Sequence, residues 1–277
     1  MPFITAQNRL VQYQYADNGQ PHTLVFINSL GTDLRIWDGV VAQLGMSVNT
    51  LRYDKRGHGL SEETPADALD TGTMEAFTDD LIGLLDALNI DRCIPVGLSV
   101  GGRIALMLAD RQPERVERLI LCDTGHVIGT LQSWDDRIEA VRSVGLARLA
   151  PQIMERWFPA HFRQGNANQV GIFQRMVAAC APADYIRTCE AIRDADLTTE
   201  AGRVTAPTLC IVGSEDLATP PTLVQSLSAL ISGSQFRVID GSGHIPCVDN
   251  PVRLTELILD FIYPQPTRRT APKGGLG

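Results

Sequence analysis

The sequence lacks any long apolar run and any closely spaced pair of cysteines. No stretch approaches the roughly 20 consecutive apolar residues that a membrane-spanning helix needs. Residues 1–19 alternate polar and apolar positions without a continuous apolar core, so they do not resemble a secretory signal peptide. None of the six cysteines lies in a CxxC pair, which argues against zinc binding and dithiol redox chemistry. These absences predict a cytoplasmic protein that has no membrane partner.

Positive charge is also scarce in this chain. Its 277 residues include 24 Lys and Arg against 32 Asp and Glu, which gives a net charge of −8. Such a charge favours solubility and argues against nucleic acid as a partner. If the substrate is an anion, local positive charge must offset the overall field.

What the sequence does contain is a regular alternation of short apolar runs with stretches of helical spacing. The clearest helix is predicted over residues 75–89, where Phe77, Leu81 and Leu84 fall on one face. Strands are predicted at residues 24–28, 48–53, 93–98, 118–122, 208–213 and 236–240. This alternation predicts the α/β class, with a mostly parallel twisted sheet flanked by helices. Residues 10–15 alternate like an antiparallel strand at a sheet edge.

The alternation stops after residue 122 and resumes at Pro207. The intervening chain contains helical patterns over residues 135–149, 151–157, 169–180 and 183–194, with no convincing strand. We therefore predict a core of residues 1–125 and 204–263 with an inserted helical cap of residues 126–203. Residues 264–277 are rich in Pro, Gly and Arg and are predicted to form a disordered tail.

A serine flanked by glycines lies between a predicted strand and a predicted helix. It occupies the centre of the pentapeptide Gly97-Leu98-Ser99-Val100-Gly101. A sharp strand-to-helix turn presents such a serine above the sheet and requires small residues two positions to either side. The following helix places the positive end of its dipole at the serine. This context favours Ser99 as a nucleophile over a glycine turn without a function.

A serine hydroxyl needs a base to become a good nucleophile. The five histidines of the chain are His22, His58, His126, His161 and His244. In proteins with this strand–serine–helix arrangement, the partners follow in the order serine, acid, histidine. His244 comes directly after the last predicted strand, in a loop that can carry its imidazole over Ser99. We predict His244 as the general base.

The acid that orients this histidine is expected in the loop after the strand at residues 208–213. Asp216 is preferred because it lies farther out on that loop than Glu215, which is predicted to face solvent. Asp123, directly after the strand at residues 118–122, is the alternative, because some proteins of this kind take their acid from that position.

Backbone N–H groups are expected to stabilise the tetrahedral oxyanion that a serine attack creates. One donor should be the N–H of Val100, which follows the nucleophile. The other should come from the loop after the strand at residues 24–28, where Leu30 can donate and Gly31 permits the turn. Because the backbone donates, the side chain of Leu30 need not be polar.

Four segments together resemble the α/β-hydrolase superfamily: the loop after residue 28, residues 54–61, the serine pentapeptide, and the acid and histidine loops. Within it, residues 28–38 (NSLGTDLRIWD) and 189–197 (CEAIRDADL) resemble the 3-oxoadipate enol-lactonases. The resemblance implies a serine hydrolase that opens 3-oxoadipate enol-lactone to 3-oxoadipate. In bacteria this reaction belongs to the β-ketoadipate pathway, which degrades protocatechuate and catechol. The resemblance also implies that no metal and no organic cofactor is used.

The lactone implied by this resemblance is a small anion, so a cation is expected near the nucleophile, preferably an arginine. Trp134 and Arg137 are three residues apart near a predicted helix start and can share one face. We predict both as substrate-binding residues. The other candidate cations are Arg35, Arg142, Arg163, Arg175, Arg187 and Arg193.

Other functions are compatible with the same residues. A related carboxylesterase, or a hydrolase of carbon–carbon bonds in aromatic ring-cleavage products, would share the three catalytic candidates and differ in the cap. A receptor for a small lactone is the alternative from another class, and multiple turnover would exclude it. Peroxide-dependent perhydrolysis would use the same side chains. No feature of the sequence predicts an oligomeric state.

Overall fold

Residues 2–64 and 72–264 are described in a computed structural model of the chain. Their strands, numbered in chain order, are β1 (Phe3–Ala6), β2 (Arg9–Ala16), β3 (Thr23–Ile27), β4 (Asn49–Tyr53), β5 (Ile94–Leu98), β6 (Leu119–Cys122), β7 (Thr208–Gly213) and β8 (Gln235–Ile239). The predicted tail lies outside the described residues from residue 265 onwards.

One sheet contains all eight strands, in the order β1-β2-β4-β3-β5-β6-β7-β8. The pairs β1–β2 and β2–β4 are antiparallel, and the other pairs are parallel. The central strands β3, β5, β6 and β7 are buried along their whole length, as expected for parallel strands covered on both faces. The predicted α/β class with a mostly parallel sheet is confirmed. Strands β3 to β8 lie within one residue of the predicted ranges at each end.

Helices connect the parallel strands. In chain order they are α1 (Asp38–Leu44), α2 (Met74–Ala87), α3 (Val100–Arg111), α4 (Leu131–Val144), α5 (Leu146–Trp157), α6 (Ala160–Gly165), α7 (Ala167–Ala178), α8 (Pro182–Asp194), α9 (Thr198–Arg203), α10 (Pro221–Leu230), α11 (Pro246–Asp249) and α12 (Pro251–Ile262). Helix α2 begins after Thr73, whose hydroxyl accepts the N–H of Ala76, and it buries Phe77, Leu81 and Leu84 as predicted.

The N-terminal edge of the sheet differs from the prediction. Strands β1 and β2 form a hairpin whose two loop residues, Gln7 and Asn8, have φ angles of 49° and 62°. Hairpin turns with two positive φ angles usually contain Asn-Gly, so Gln-Asn is a weak signal in the sequence. The antiparallel strand predicted at residues 10–15 is present as β2, but its predicted edge position is wrong because β1 covers that side.

The chain between β6 and β7 forms the six helices α4 to α9 and contains no strand. The predicted helix break before Pro151 is wrong, because Pro151 lies inside α5. The break occurs at Gly145, whose φ of 76° is accessible to glycine, and the proline then removes a single helical hydrogen bond. The division of the chain into a core and a cap stays a prediction.

The described residues contain no helix with both the length and the apolar character that crossing a bilayer requires. All six cysteines are free and buried. Cys122 and Cys210 lie in β6 and β7, where cysteine packs as a small apolar side chain.

The carboxyl ends of β3, β5, β6, β7 and β8 carry the segments that the sequence predicts as functional. In an open parallel sheet these ends meet at one edge, where such folds bind their ligands. The topology thus brings together loops that are up to about 200 residues apart in the chain, as the strand order and the strand ranges require.

Candidate active site

Ser99 occupies the turn between β5 and α3, with φ 58° and ψ −119°. A positive φ is strained for any residue other than glycine, and it is typical of a nucleophile turn. A Cβ atom at Gly97 would lie 2.2 Å from the carbonyl oxygen of Gly101. A Cβ atom at Gly101 would lie 2.2 Å from the carbonyl oxygen of Ile27. The two glycines of the pentapeptide are therefore required by close backbone packing.

His244 lies in the loop after β8, and its Nδ1 atom is 2.9 Å from Oδ2 of Asp216 in the loop after β7. Both side chains are almost completely buried. Burial by itself raises the pKa of Asp216, but the charge of His244 and the hydrogen bonds from His244 and Thr219 outweigh it, so the pKa lies below its usual value. An ionised Asp216 accepts a hydrogen bond from Nδ1 and leaves Nε2 of His244 as the free nitrogen.

The loop around Asp216 fixes this carboxylate firmly. Its Oδ1 atom accepts the backbone N–H groups of Ala218 at 2.7 Å and Thr219 at 3.0 Å. Its Oδ2 atom also accepts the Thr219 hydroxyl at 2.5 Å. Glu215 is exposed, 3.9 Å from the ring of His161, and faces solvent as expected.

Asp123, the alternative acid, is buried beside Asp216. Its Oδ1 atom accepts the N–H of Gly213 at 2.9 Å. Burial and then the charge of Asp216 raise the pKa of Asp123 well above its usual range, which favours the neutral form of this carboxyl group. The hydrogen bond to the His244 ring is made by Asp216.

Asp123, Asp216 and His244 carry potential metal-ligand atoms within 4.8 Å of one another, the one such trio among the described residues. Both oxygens of Asp216 and the Nδ1 atom of His244 are already engaged in hydrogen bonds with each other and with the surrounding loop. The raised pKa of Asp123 makes it a poorer ligand for a cation, because a metal ion would have to displace its proton. These donors fit an acid–imidazole pair better than a metal centre.

The two predicted oxyanion donors belong to the segments that follow β3 and β5. Val100 is the first residue of α3, where the backbone N–H has no partner within the helix. Leu30 lines the same cavity as Ser99 and His244. The next residue, Gly31, has φ 72°, and a Cβ atom there would lie 3.1 Å from the ring of Tyr185. Space and backbone conformation both call for glycine at this turn.

Trp134 and Arg137 of α4 also line this cavity. The indole N–H of Trp134 donates to the carbonyl of Ile128 at 2.6 Å. Arg137 lies near the buried Tyr185, and its positive charge partly offsets the effect of burial, which raises the pKa of Tyr185. None of the other six candidate arginines lines the cavity. Arg35, Arg142, Arg187 and Arg193, for example, pair with acids elsewhere.

Arg156 of α5 is a second cation in the cavity and was not among the arginines predicted from the sequence. Burial and the nearby charge of Arg137 lower its pKa, although a guanidinium stays charged at neutral pH. Within the described part of the chain, no carboxylate lies within 4.0 Å of either guanidinium. The sequence carries little signal for Arg156, because its side chain is exposed beside the apolar face that contains Ile153 and Trp157.

A second cavity lies beyond Gly31 and is lined by Asp33, Arg35, Asp54 and Cys180, among others. Three of these side chains, Asp33, Arg35 and Asp54, already have partners. Arg35 binds Asp33, and Asp54 accepts the backbone N–H groups of Leu34 and Leu60. The residues that line this second cavity include no base that faces a nucleophile, so the cavity around Ser99 is the candidate active site.

Comparisons with known proteins agree with this geometry. The family model described as the alpha/beta hydrolase family matches residues 24–257. The chain is 33% identical to 3-oxoadipate enol-lactonase 1 of Acinetobacter baylyi, over 86% of this chain and 88% of the relative. It is 32% identical to 3-oxoadipate enol-lactonase 2 of the same organism, over 90% and 91%.

A solved structure, that of the enol-lactonase from Burkholderia xenovorans LB400, superposes with a TM-score of 0.89 at 34% identity. The match covers 94% of this chain and 99% of that one. The chain belongs to the alpha/beta hydrolase family, and within that family it is similar to the 3-oxoadipate enol-lactonases.

Proposed function

We propose that this hydrolase opens a carboxylate-bearing enol-lactone, 3-oxoadipate enol-lactone, with Ser99 as the nucleophile. The observation that carries the proposal is one cavity that contains Ser99, His244 and two arginines without acidic partners. The names of the two Acinetobacter relatives support the same substrate. We place the reaction in the cytoplasmic β-ketoadipate pathway of bacterial aromatic degradation.

In the first half-reaction, Nε2 of His244 takes the proton of the Ser99 hydroxyl as its oxygen attacks the lactone carbonyl. The imidazolium that forms is stabilised by Asp216, which contacts Nδ1. The backbone N–H groups of Leu30 and Val100 bind the oxyanion. The ring C–O bond then breaks, and the departing enolate oxygen receives the proton from His244.

The enol released in this step becomes the 3-oxo group by tautomerisation, while the acyl group remains on Ser99. Water then attacks the acyl-serine, with His244 as the base. Collapse of the second tetrahedral intermediate returns the proton to Ser99 and releases 3-oxoadipate. An enol is a good leaving group, so the first half-reaction requires little acid assistance.

Arg137 and Arg156 bind the free carboxylate of the lactone in this proposal. Charge-assisted hydrogen bonds from arginine to a carboxylate are among the strongest in proteins. Two guanidinium groups also offset the net charge of −8, which by itself would repel an anion. The helices of the predicted cap, residues 126–203, carry both arginines and Trp134, so this segment sets the substrate preference.

The test is a direct assay of 3-oxoadipate enol-lactone loss with wild-type protein, Ser99→Ala and Ser143→Ala. Ser143 is exposed on α4, outside the cavity, and serves as the matched control. We expect Ser99→Ala to lower kcat by roughly 10⁴-fold or more without loss of the fold, and Ser143→Ala to match wild type. Near-normal turnover by Ser99→Ala would exclude the mechanism.

Parallel assays separate the alternative functions. Faster turnover of p-nitrophenyl acetate than of the lactone would indicate a carboxylesterase. Turnover of an aromatic ring-cleavage product would indicate a carbon–carbon bond hydrolase. Binding of the lactone without multiple turnover would indicate a receptor.

A further inference from the structure

Lys55 is a buried cation outside the cavity that the mechanism above does not use. It is one of only two lysines in the chain, whose other cations are arginines. Lys55 follows β4 and is 2% exposed. Its Nζ atom donates to the carbonyl oxygen of Ser29 at 2.6 Å. Ser29 directly precedes Leu30, so the Ser29 carbonyl and the Leu30 N–H belong to the same peptide group.

This peptide group links Lys55 to the proposed oxyanion hole. In a planar trans peptide the C=O of one residue and the N–H of the next point in opposite directions. The position of the Ser29 oxygen therefore determines the direction of the Leu30 N–H. The Thr32 hydroxyl at 2.9 Å and the Thr32 N–H at 3.3 Å also donate to the Ser29 oxygen. Three donors thus fix the orientation of the peptide.

Lys55 differs from the Thr32 donors because it brings a charge. Within the described part of the chain, no carboxylate oxygen lies within 4.0 Å of its Nζ atom. The nearby ionisable groups are Asp54 and His58 on its own loop, Asp33 on the Ser29–Asp33 loop, and Cys180 between α7 and α8. With no ion pair to neutralise it, the ammonium polarises the peptide group and strengthens the Leu30 N–H as a donor.

We infer that Lys55 is a positioning residue for catalysis, which orients and polarises the Ser29–Leu30 peptide so that its N–H stabilises the oxyanion. The inference rests on the proposed function, since it takes Leu30 as an oxyanion donor. A residue that acts on the oxyanion affects the transition state more than substrate binding. Its loss should therefore lower kcat and leave KM nearly unchanged.

The pH dependence of kcat supplies a second readout. Burial lowers the pKa of Lys55 to about 7. Burial raises the pKa of Asp54 to about 6 and that of Cys180 to about 11, and it lowers the pKa of His58 well below its usual value. As the pH rises through 7 to 8, Lys55 loses its charge, so kcat of the wild type should fall on this alkaline limb.

The experiment compares wild type, Lys55→Met and Thr32→Val on the lactone and on phenyl acetate, after correction for spontaneous hydrolysis. We expect Lys55→Met to lower kcat by about 10- to 100-fold on both substrates, somewhat less than full removal of one oxyanion donor. KM should change by less than about twofold, and the alkaline limb should disappear. Thr32→Val removes a neutral donor to the same oxygen, so we expect a smaller loss, about threefold, with the limb retained.

Methionine removes a buried charge at similar length, and urea unfolding will show that the Lys55→Met fold persists. A kcat within about threefold of wild type, or a loss that appears in KM, would overturn the inference. If Lys55→Met does not fold, the test rests on the pH profile of wild-type kcat and on the kcat of Thr32→Val. A wild-type kcat that is constant from pH 6.5 to 9, or a Thr32→Val kcat equal to that of wild type, would overturn the inference.

The rate at which a fluorophosphonate labels Ser99 separates this inference from the proposed function. Labelling needs the nucleophile and the oxyanion hole but no lactone. Wild-type labelling without lactone turnover would contradict the substrate and leave the Lys55 comparison intact. Labelling that Ser99→Ala does not abolish would contradict the nucleophile itself.

Discussion

The arginines of this chain differ in whether a carboxylate already neutralises them. Arg52, Arg111, Arg193 and Arg203, for example, pair with aspartates at or near the surface. Arg137 and Arg156 line the cavity around Ser99 without such partners. Arg137 is half-buried, and a half-buried guanidinium without an acidic partner is costly unless a ligand anion compensates it. This contrast supports the proposal that the two cavity arginines bind the carboxylate of the substrate.

The first prediction concerns these two arginines. Arg137→Gln and Arg156→Gln should each raise KM for the anionic lactone by roughly 10-fold or more, because each removes charge-assisted hydrogen bonds. KM for neutral phenyl acetate should change by less than about twofold. Steady-state kinetics on both substrates measures this, with Arg142→Gln as the control, since Arg142 lies outside the cavity near Glu190. Equal effects on the two substrates would contradict a carboxylate-binding role.

The second prediction concerns the two buried acids behind His244. Asp216→Asn should lower kcat by about 10⁴-fold, because the amide favours the wrong imidazole tautomer and does not stabilise the imidazolium. Asp123→Asn introduces a neutral group of the same shape at a site where burial already favours the neutral form, so kcat should fall by less than about 10-fold. Pre-steady-state and steady-state kinetics with phenyl acetate measure the rates of Asp216→Asn and Asp123→Asn. A larger loss in Asp123→Asn would assign the acid to the end of β6 instead.

At the scale of elements, helix α3 joins the nucleophile turn to the helices between β6 and β7. Arg103 of α3 is completely buried, and its guanidinium donates to the carbonyls of Ile192 at 2.8 Å and His126 at 3.2 Å, and to that of Ala195. Ile192 lies in the last turn of α8, where carbonyls have no partner within the helix. One side chain thus holds the chain just before α4 and the C-terminal end of α8.

The third prediction follows from this arrangement. Arg103→Met should lower the free energy of unfolding by about 3 kcal/mol or more, because it leaves buried carbonyls without donors. Arg111→Met on the same helix removes an exposed pair with Asp79 and should cost less than about 1 kcal/mol. Urea unfolding measures both variants. Similar losses in the two would mean that the contacts of Arg103 contribute no more than a surface pair.

At the scale of the whole molecule, buried carboxylates make the stability depend on pH. Burial raises the pKa of Asp249 to about 6, although Ser242 and the N–H of Gly243 donate to it. The folded chain therefore holds this proton more tightly than the unfolded chain, in which the pKa is near 4. The stabilisation is fully present below about pH 4 and is lost as the pH rises to about 6.

The fourth prediction tests the direction in which the stability changes with pH. The free energy of unfolding of Asp249→Asn minus that of wild type should increase by up to about 3 kcal/mol between pH 4 and pH 7, because only wild type loses this stabilisation. Urea unfolding at pH 4, 5, 6 and 7 measures the difference. The exposed Asp260 on α12 provides the control, and Asp260→Asn should follow wild type across this range. If the difference in the free energy of unfolding between Asp249→Asn and wild type is constant, Asp249 does not titrate between pH 4 and pH 7.

Much of the fold was predictable from local patterns, and the exceptions have local reasons. Strands β3 to β8 were placed within one residue because each is an apolar run between turn residues. The β1–β2 hairpin was missed because Gln7-Asn8 is an unusual turn, and the break before α5 was assigned to Pro151 although Gly145 makes it. Propensity signals compete at such positions, and tertiary packing decides between them.

By itself the sequence determined the strand–helix alternation and the conformation around Ser99. Both depend on sterics within a few residues, such as the glycines that allow β5 to turn into α3. Only the tertiary structure decided that Asp216 and not Asp123 contacts His244, that Arg156 joins Arg137, and that Lys55 lies behind Leu30. The residues in each of these sets lie 19 to 28 positions apart on separate elements, and only the packing of the strand-end loops and of helices α4 and α5 brings them together.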